Sequence, residues 1–153
     1  MAHRHMTLAF IVRDGQMLLG LKKRGFATGK WNGFGGKVSP EETAEDAVRR
    51  ELSEESGLVI EEMHKVGDVI FHNSEDEHHR VEIFSVDTFS GELVETEEMK
   101  PKWFPLDQIP YDQMWEDDKH WHPLFLAGKC FEGEFFFKDG HIVKTTLSEH
   151  APY

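Results

Sequence analysis

The sequence predicts an α+β fold in which a mixed β-sheet lies between helices, an α/β/α sandwich. Three observations predict it. Asp14-Gly15 and Asp139-Gly140 are hairpin signals, and each separates two β-rich runs. Thr43 to Gly57 carries apolar residues at helical spacing between a start signal and a stop signal. Further strand-like and helix-like stretches alternate between these landmarks, which suits helices packed on a sheet.

Taken in order, Thr7 to Val12 is the first strand, and Gln16 to Lys22 returns beside it after Asp14-Gly15. Lys23 to Lys30 is basic and glycine-punctuated, so it reads as a loop. Gly33, Gly35 and Gly36 fall close together among Trp31, Asn32 and Phe34, where backbone must turn tightly or approach a ligand. A helix is expected to begin near Thr43, whose hydroxyl can cap an orphan N–H. Ser39-Pro40-Glu41-Glu42 is a competing start. Ala44, Ala47, Val48 and Leu52 form the apolar stripe, and Gly57 supplies a left-handed stop. Val66 to Phe71 and Val81 to Thr88 are strands, with Asn73 to Arg80 a polar loop between them and Ser90-Gly91 a turn. Lys102 to Phe104 is a short extended piece bounded by Pro101 and Pro105. A second helix is expected from about Asp118 to Ala127, interrupted by Pro123. Phe131 to Lys138 and His141 to Thr146 close the chain as a hairpin.

The length of 153 residues suits one domain spanning residues 1–153. No apolar run approaches the roughly 20 residues of a membrane span, and the polar start, with His3 and His5, lacks the apolar segment of a secretory signal. The lone Cys130 excludes an internal disulfide and favours a reducing, cytoplasmic setting. It reads as a small core residue rather than a nucleophile, because no matching His and acid pattern surrounds it. Asp and Glu total 29 against 17 Lys and Arg, a formal charge of -12. Such a surface repels a nucleic-acid backbone. It can still bind a polyphosphate if metal ions lie between the two sets of negative charge. A monomer acting on a small molecule is the expectation.

Glu51, Glu54 and Glu55 stand at i, i+3 and i+4, which gathers three carboxylates on one helix face. Like charges so placed destabilise a bare helix. A cation that neutralises them explains their presence, and Mg²⁺, or Mn²⁺, is the ion such oxygens suit. Arg50 beside them can hold one carboxylate by a salt bridge. The other reading is a solvated acidic face. The wider pattern G-x5-E-x7-R-E-U-x-E-E-x-G-U, with U bulky and apolar, decides between them. It is filled by Gly36, Glu42, Arg50, Glu51, Leu52, Glu54, Glu55, Gly57 and Leu58. With each fixed residue matching by chance about one time in ten, coincidence is roughly one in ten million per register.

This pattern resembles the Nudix box, and the chain is therefore similar to the Nudix hydrolases. That resemblance implies a loop–helix–loop holding divalent metal against a diphosphate. Glu51, Glu54 and Glu55 become metal-ligand and base candidates, assisted by Arg50, with a backbone carbonyl of Gly35 or Gly36 as a further ligand. LLGLKKRGFATGKWNGFGGKV, HKVGDVIF, EEMKPKWFPLDQIP and QMWEDDKHW extend the resemblance from about Thr7 to Phe137. They are similar to the MutT-type branch that hydrolyses oxidised purine nucleoside triphosphates, such as 8-oxo-dGTP and 2-hydroxy-dATP, to the monophosphate and pyrophosphate. The resemblance implies that Asn32 bonds the base, that Asp117 and Asp118 read its edge, and that Trp115 stacks on it with Phe26 and Phe71 as walls. Thr7 and Lys22 match positions lining the same pocket, Phe34, Gly35, Gly36 and Lys37 belong to the substrate loop, and Glu98 matches a further metal ligand. Two carboxylates in an apolar pocket share one proton, so one donates while the other accepts.

Plainer roles stay open for these pocket residues. Asn32 can support a turn, Asp117-Asp118 can sit on a helix N-terminus, and Trp115, Phe26 and Phe71 can be core. His72, His78 and His79 suit a polar loop without a metal. Vertebrate members of the branch carry methionine near the position of His79 and a phenylalanine at that of Asn73, so one pocket wall is more polar here. A nucleotide sugar or dinucleotide polyphosphate is the rival substrate class, and a nucleotide-sensing module that does not cleave is the rival to an enzyme.

Overall fold

The computed structural model describes residues 2–25, 27–74 and 77–153. The first strand, β1, spans Ala2–Arg13, and β2 spans Gln16–Lys22. Asp14 and Gly15 both take positive φ, 54° and 74°. That backbone twist matches the twist of paired strands, which explains the tight reversal. Asp139 and Gly140 repeat it at 53° and 81° between β7 (Cys130–Lys138) and β8 (His141–His150).

Between them lie β3 (Trp31–Asn32), helix α1 (Ala44–Ser56), β4 (Leu58–Ser74), β5 (Glu77–Gly91), β6 (Met99–Pro105), a 3-10 turn at Tyr111–Gln113 and helix α2 (Asp118–Leu126). The strands run in the order β3-β2-β1-β5-β4-β7-β8, with β6 pairing β2. β1 with β5 and β4 with β7 are parallel, and the other pairs are antiparallel. The sheet is mixed, as expected.

Alternation along the strands supplies two cores. Ala9, Ile11, Leu18, Phe84 and Val86 point to one face and pack with Ala44, Val48 and Leu52 of α1. Phe10, Met17, Leu19, Val81 and Ile83 point to the other and pack with Trp121 and Phe125 of α2. The two helices therefore lie on opposite faces of the sheet, the sandwich expected.

α1 starts where its cap is. Thr43 Oγ1 accepts the Asp46 N–H at 3.1 Å, a bond worth about 1 kcal/mol. The competing start at Ser39 is instead a turn, with Glu42 N–H donating to the Ser39 carbonyl at 3.1 Å. At the far end Gly57 takes φ 81°, and its N–H closes on Ser53 O.

Three expectations are corrected. Asn73 to Arg80 is not a loop: β4 runs through Ser74 and β5 resumes at Glu77. Cross-strand pairing, not local polarity, decides this, with Phe71 opposite His79 and His72 opposite His78. The extended piece at Lys102 to Phe104 belongs to a strand that pairs β2 along all seven residues, and Pro101 is tolerated because β6 pairs on one side alone. Pro123 does not interrupt α2, which continues to Leu126, with the Ala127 N–H donating to Pro123 O at 3.1 Å.

Candidate active site

β1 and β2 pair only from Ile11 to Arg13, and then they part. The gap beside the first half of β1 is filled by residues 33–38. Ala9 and Phe34 exchange N–H···O bonds of 2.7 and 3.0 Å, Thr7 N–H donates to Gly36 O at 2.9 Å, and Val38 N–H to His5 O at 2.9 Å. The glycines are required by this close approach. A Cβ on Gly35 would lie 1.9 Å from the Thr7 carbonyl oxygen, and one on Gly36 would lie 2.6 Å from the Glu51 carboxyl carbon. Gly35→Ala is therefore expected to destabilise the protein by about 3 kcal/mol or more. Denaturant midpoints check this, and an unchanged midpoint would refute the contact.

This segment lies against the helix face that carries the acids. Gly35 N–H donates to Glu55 Oε1 at 2.9 Å. Glu55 is buried, and that burial, reinforced by the Glu51 charge, pushes its carboxyl up to about 8. Glu51 is also raised, first by burial, while its 3.0 Å bond from Arg50 opposes the shift. Glu54 is exposed, with Arg50 at 3.6 Å. Arg50 further donates to Glu42 at 2.7 and 3.2 Å and to the Lys37 carbonyl at 3.3 Å. Its guanidinium holds the Glu42 carboxyl down at about 2. Arg50 thus links the two ends of the sequence motif.

Glu98 comes from outside the motif. Its negative charge acts on both Glu51 and Glu55, so the fold brings it to the same cluster. Arg24 holds it at 2.9 Å and keeps its carboxyl low. Thr96 ties its loop to the helix: Oγ1 donates to Glu55 O at 3.1 Å and accepts from Glu98 N–H at 3.3 Å. Sequence reasoning missed Arg24 and Thr96, because neither is adjacent in sequence to the residue it positions. Lys22 also lies on this side, where its charge acts on Glu55 and Glu98. Thr7 is buried and directs its hydroxyl at Gly36 O, at 3.4 Å.

The candidate donors are carboxylates and glycine carbonyls, the hard oxygens that Mg²⁺ accepts. Glu51, Glu55 and Glu98 oppose one another electrostatically, which a bound cation relieves. With Arg50 bridging Glu51 and Glu54, no three His, Cys, Asp or Glu side chains among the described residues gather closely enough to enclose an ion.

Of the other expected residues, Asp117 and Asp118 stand at the start of α2. Asp117 and Asp118 are both buried. Trp121 Nε1–H donates to Asp117 Oδ2 at 2.8 Å, whereas Asp118 Oδ2 has no partner among the described residues. Burial pushes Asp117 up to about 6. Burial and the neighbouring Asp117 hold Asp118 well above the usual carboxylate range. Both shifts run in the direction that lets the pair share a proton. The Lys30 ammonium lies 5.1 Å from the centre of the Trp115 ring and acts on Asp118, which sets the entry to β3 beside α2. Asn32, in β3, accepts the Gly33 N–H at 2.8 Å through Oδ1. Its NH₂ group is then the part with which it could bind a ligand. Phe71 packs 5.7 Å from Phe135 and 5.9 Å from Phe137.

Two expectations need correction and one lies out of reach. Phe34 has no exposed side chain; it is wedged in the core under α1, so its ring offers no wall to a ligand. His72, His78 and His79 lie in paired strands; His72 is bonded to His78 and Glu134, and His79 to Glu77. Phe26 lies outside the described residues.

A sequence model of the NUDIX domain matches residues 2–125, and the chain belongs to the Nudix family. It is 52% identical over 147 residues to the oxidized purine nucleoside triphosphate hydrolase of Danio rerio, covering 94% of each chain. It is 50% identical over 137 residues to the protein of the same name from Mus musculus, covering 89% of this chain and 88% of that one. In fold it resembles the MutT protein of Bacillus halodurans, with a TM-score of 0.84 and 24% identity over 94% of this chain and 97% of that one. No helix is long and apolar enough to cross a membrane among the described residues.

Proposed function

We propose that this chain is a Mg²⁺-dependent diphosphatase that converts oxidised purine nucleoside triphosphates, of the 8-oxo-dGTP and 2-hydroxy-dATP kind, to the monophosphate and pyrophosphate. It acts as one domain, residues 1–153, as a cytoplasmic monomer that clears damaged nucleotides before DNA synthesis can use them. The observation that carries this reading is identity of about half, over most of the chain, to two hydrolases named for that substrate.

The site offers a consistent division of labour. Glu51, Glu54, Glu55, Glu98 and the Gly35 and Gly36 carbonyls are the groups that would hold Mg²⁺, with Mn²⁺ as a substitute. The ion supplies charge neutralisation at the phosphates and a more acidic water. Arg50 orients the carboxylates, and one glutamate of the three accepts the water's proton. Lys22 and Lys37 add positive charge near the phosphates. Asn32, Asp117 and Asp118 bind the base edge, with Trp115, Phe71 and Phe26 around the ring. The one-proton Asp117–Asp118 pair explains how one pocket serves both an oxidised guanine and an oxidised adenine, since it presents a donor and an acceptor together.

The test is turnover across a nucleotide panel, with Mg²⁺ present and then chelated. Modified purine triphosphates should be cleaved at least tenfold more efficiently than dGTP and dATP, with pyrophosphate released, and chelation should abolish turnover. Preference for a nucleotide sugar or dinucleotide polyphosphate would overturn the substrate assignment. Binding without any product would overturn the assignment as an enzyme.

A further inference from the structure

Two buried side-chain polar atoms among the described residues have no hydrogen-bond partner, and they belong to residues one turn apart on α2. One is Asp118 Oδ2. The other is His122 Nε2, which lies 3.9 Å from Asp118 Oδ1. Unsatisfied buried polar groups are costly, and one that persists needs a reason.

His122 is fully buried and its ring is fixed on several sides. Phe10 lies 5.5 Å away, Trp121 4.4 Å and Tyr111 5.3 Å, centre to centre. The Tyr111 hydroxyl lies 3.2 Å from His122 Nδ1. Burial holds the imidazole neutral, down at about 3. A neutral ring has one N–H. If the phenol donates to Nδ1, that N–H must be on Nε2. It then points toward the carboxyl group placed to read the base. The other charged and titratable groups facing Asp118 are Asp117 beside it, Lys30 from the strand entry and Tyr111 from the 3-10 turn.

We propose that Tyr111 and His122 form a positioning relay for Asp118: the phenol fixes the Nε2–H tautomer, Nε2–H engages Asp118 Oδ1 when substrate closes the 3.9 Å gap, and the carboxyl proton is thereby confined to Oδ2, the oxygen that donates to the base. No bond to carbon or phosphorus changes in this step; only the place of one proton is chosen. His122 and Tyr111 do not touch the substrate. They decide which oxygen of Asp118 is donor and which is acceptor, and so set which purine edges are accepted. The inference rests on the assignment of Asp117 and Asp118 to the base pocket.

The experiment compares His122→Phe, Tyr111→Phe and Asp118→Asn with the wild type, using 8-oxo-dGTP and dGTP with Mg²⁺ from pH 5 to 9. Tyr111→Phe removes one oxygen and keeps the ring, so it serves if His122→Phe fails to fold. His122→Phe should raise the KM for 8-oxo-dGTP about tenfold and leave kcat within about twofold, because the phosphate chemistry lies elsewhere. Both relay variants should displace the pH profile of kcat/KM for 8-oxo-dGTP but not for dGTP. In ¹⁵N-labelled wild-type protein the His122 ring shifts should report the Nε2–H tautomer, and Tyr111→Phe should mix the two tautomers. A packing role alone would lower Tm and leave profile and tautomer unchanged. If Asp118→Asn alters base preference while both relay variants keep the wild-type profile, the relay is wrong and the pocket stands. If Asp118→Asn also keeps the wild-type preference, the pocket assignment is wrong and the relay falls with it.

Discussion

Glu54→Gln is expected to lower kcat by about 10²- to 10⁴-fold with little change in Tm. Glu54 is the most informative of the three helix carboxylates to change. Its side chain is 58% exposed, and Arg50 at 3.6 Å is its ion-pair partner. Losing an exposed pair of that kind costs about 1 kcal/mol at most. Glu55 differs, because it is buried and bonded to Gly35 N–H, so a substitution there disturbs both fold and chemistry. Glutamine keeps the size of Glu54 and removes its charge. If the acidic face were only solvated surface, the variant would turn over at the wild-type rate. Steady-state rates at saturating Mg²⁺, with Tm measured alongside, separate the two cases. Retained turnover would mean that the carboxylate neither binds an ion nor moves a proton.

Asp118→Ala should remove base discrimination. We expect kcat/KM for an oxidised purine triphosphate to fall about 10²-fold while that for the ordinary nucleotide changes little. A site built around a hydrogen bond loses most on the substrate that makes it. The pH dependence follows from the raised values of the pair. Below about pH 6 the pair takes up a second proton and loses its acceptor; in alkaline solution it gives up the last proton and loses its donor. Preference should therefore be greatest between these limits in the wild type. It should be flat across pH in the variant, where a single carboxyl remains. A variant whose preference still rises and falls with pH would place the discriminating groups elsewhere.

Much of this was legible in the chain. The hairpin turns were visible because Asp14-Gly15 and Asp139-Gly140 adopt the left-handed backbone their residue types favour. The ends of α1 were visible because Thr43 and Gly57 act on their immediate neighbours. The carboxylate face was visible because helical spacing alone makes Glu51, Glu54 and Glu55 adjacent. The region from Asn73 to Arg80 misled because its pairing is with another strand, and local polarity carries no information about that. Phe34 sits among residues that approach the site, yet its ring is buried in the core that packs against α1.

What the sequence determined by itself were the features made by contacts a few residues apart: turns, caps, the helix stripe and the acidic trio. Only the tertiary structure decided that Arg24 and Thr96 hold Glu98 beside that trio, that Gly35 meets Thr7, and that Tyr111 and His122 stand behind Asp118. These depend on where the sheet sets segments that are distant in sequence or belong to different elements. Burial, which raises Glu55, Asp117 and Asp118, is likewise conferred by neighbours that the local sequence does not name.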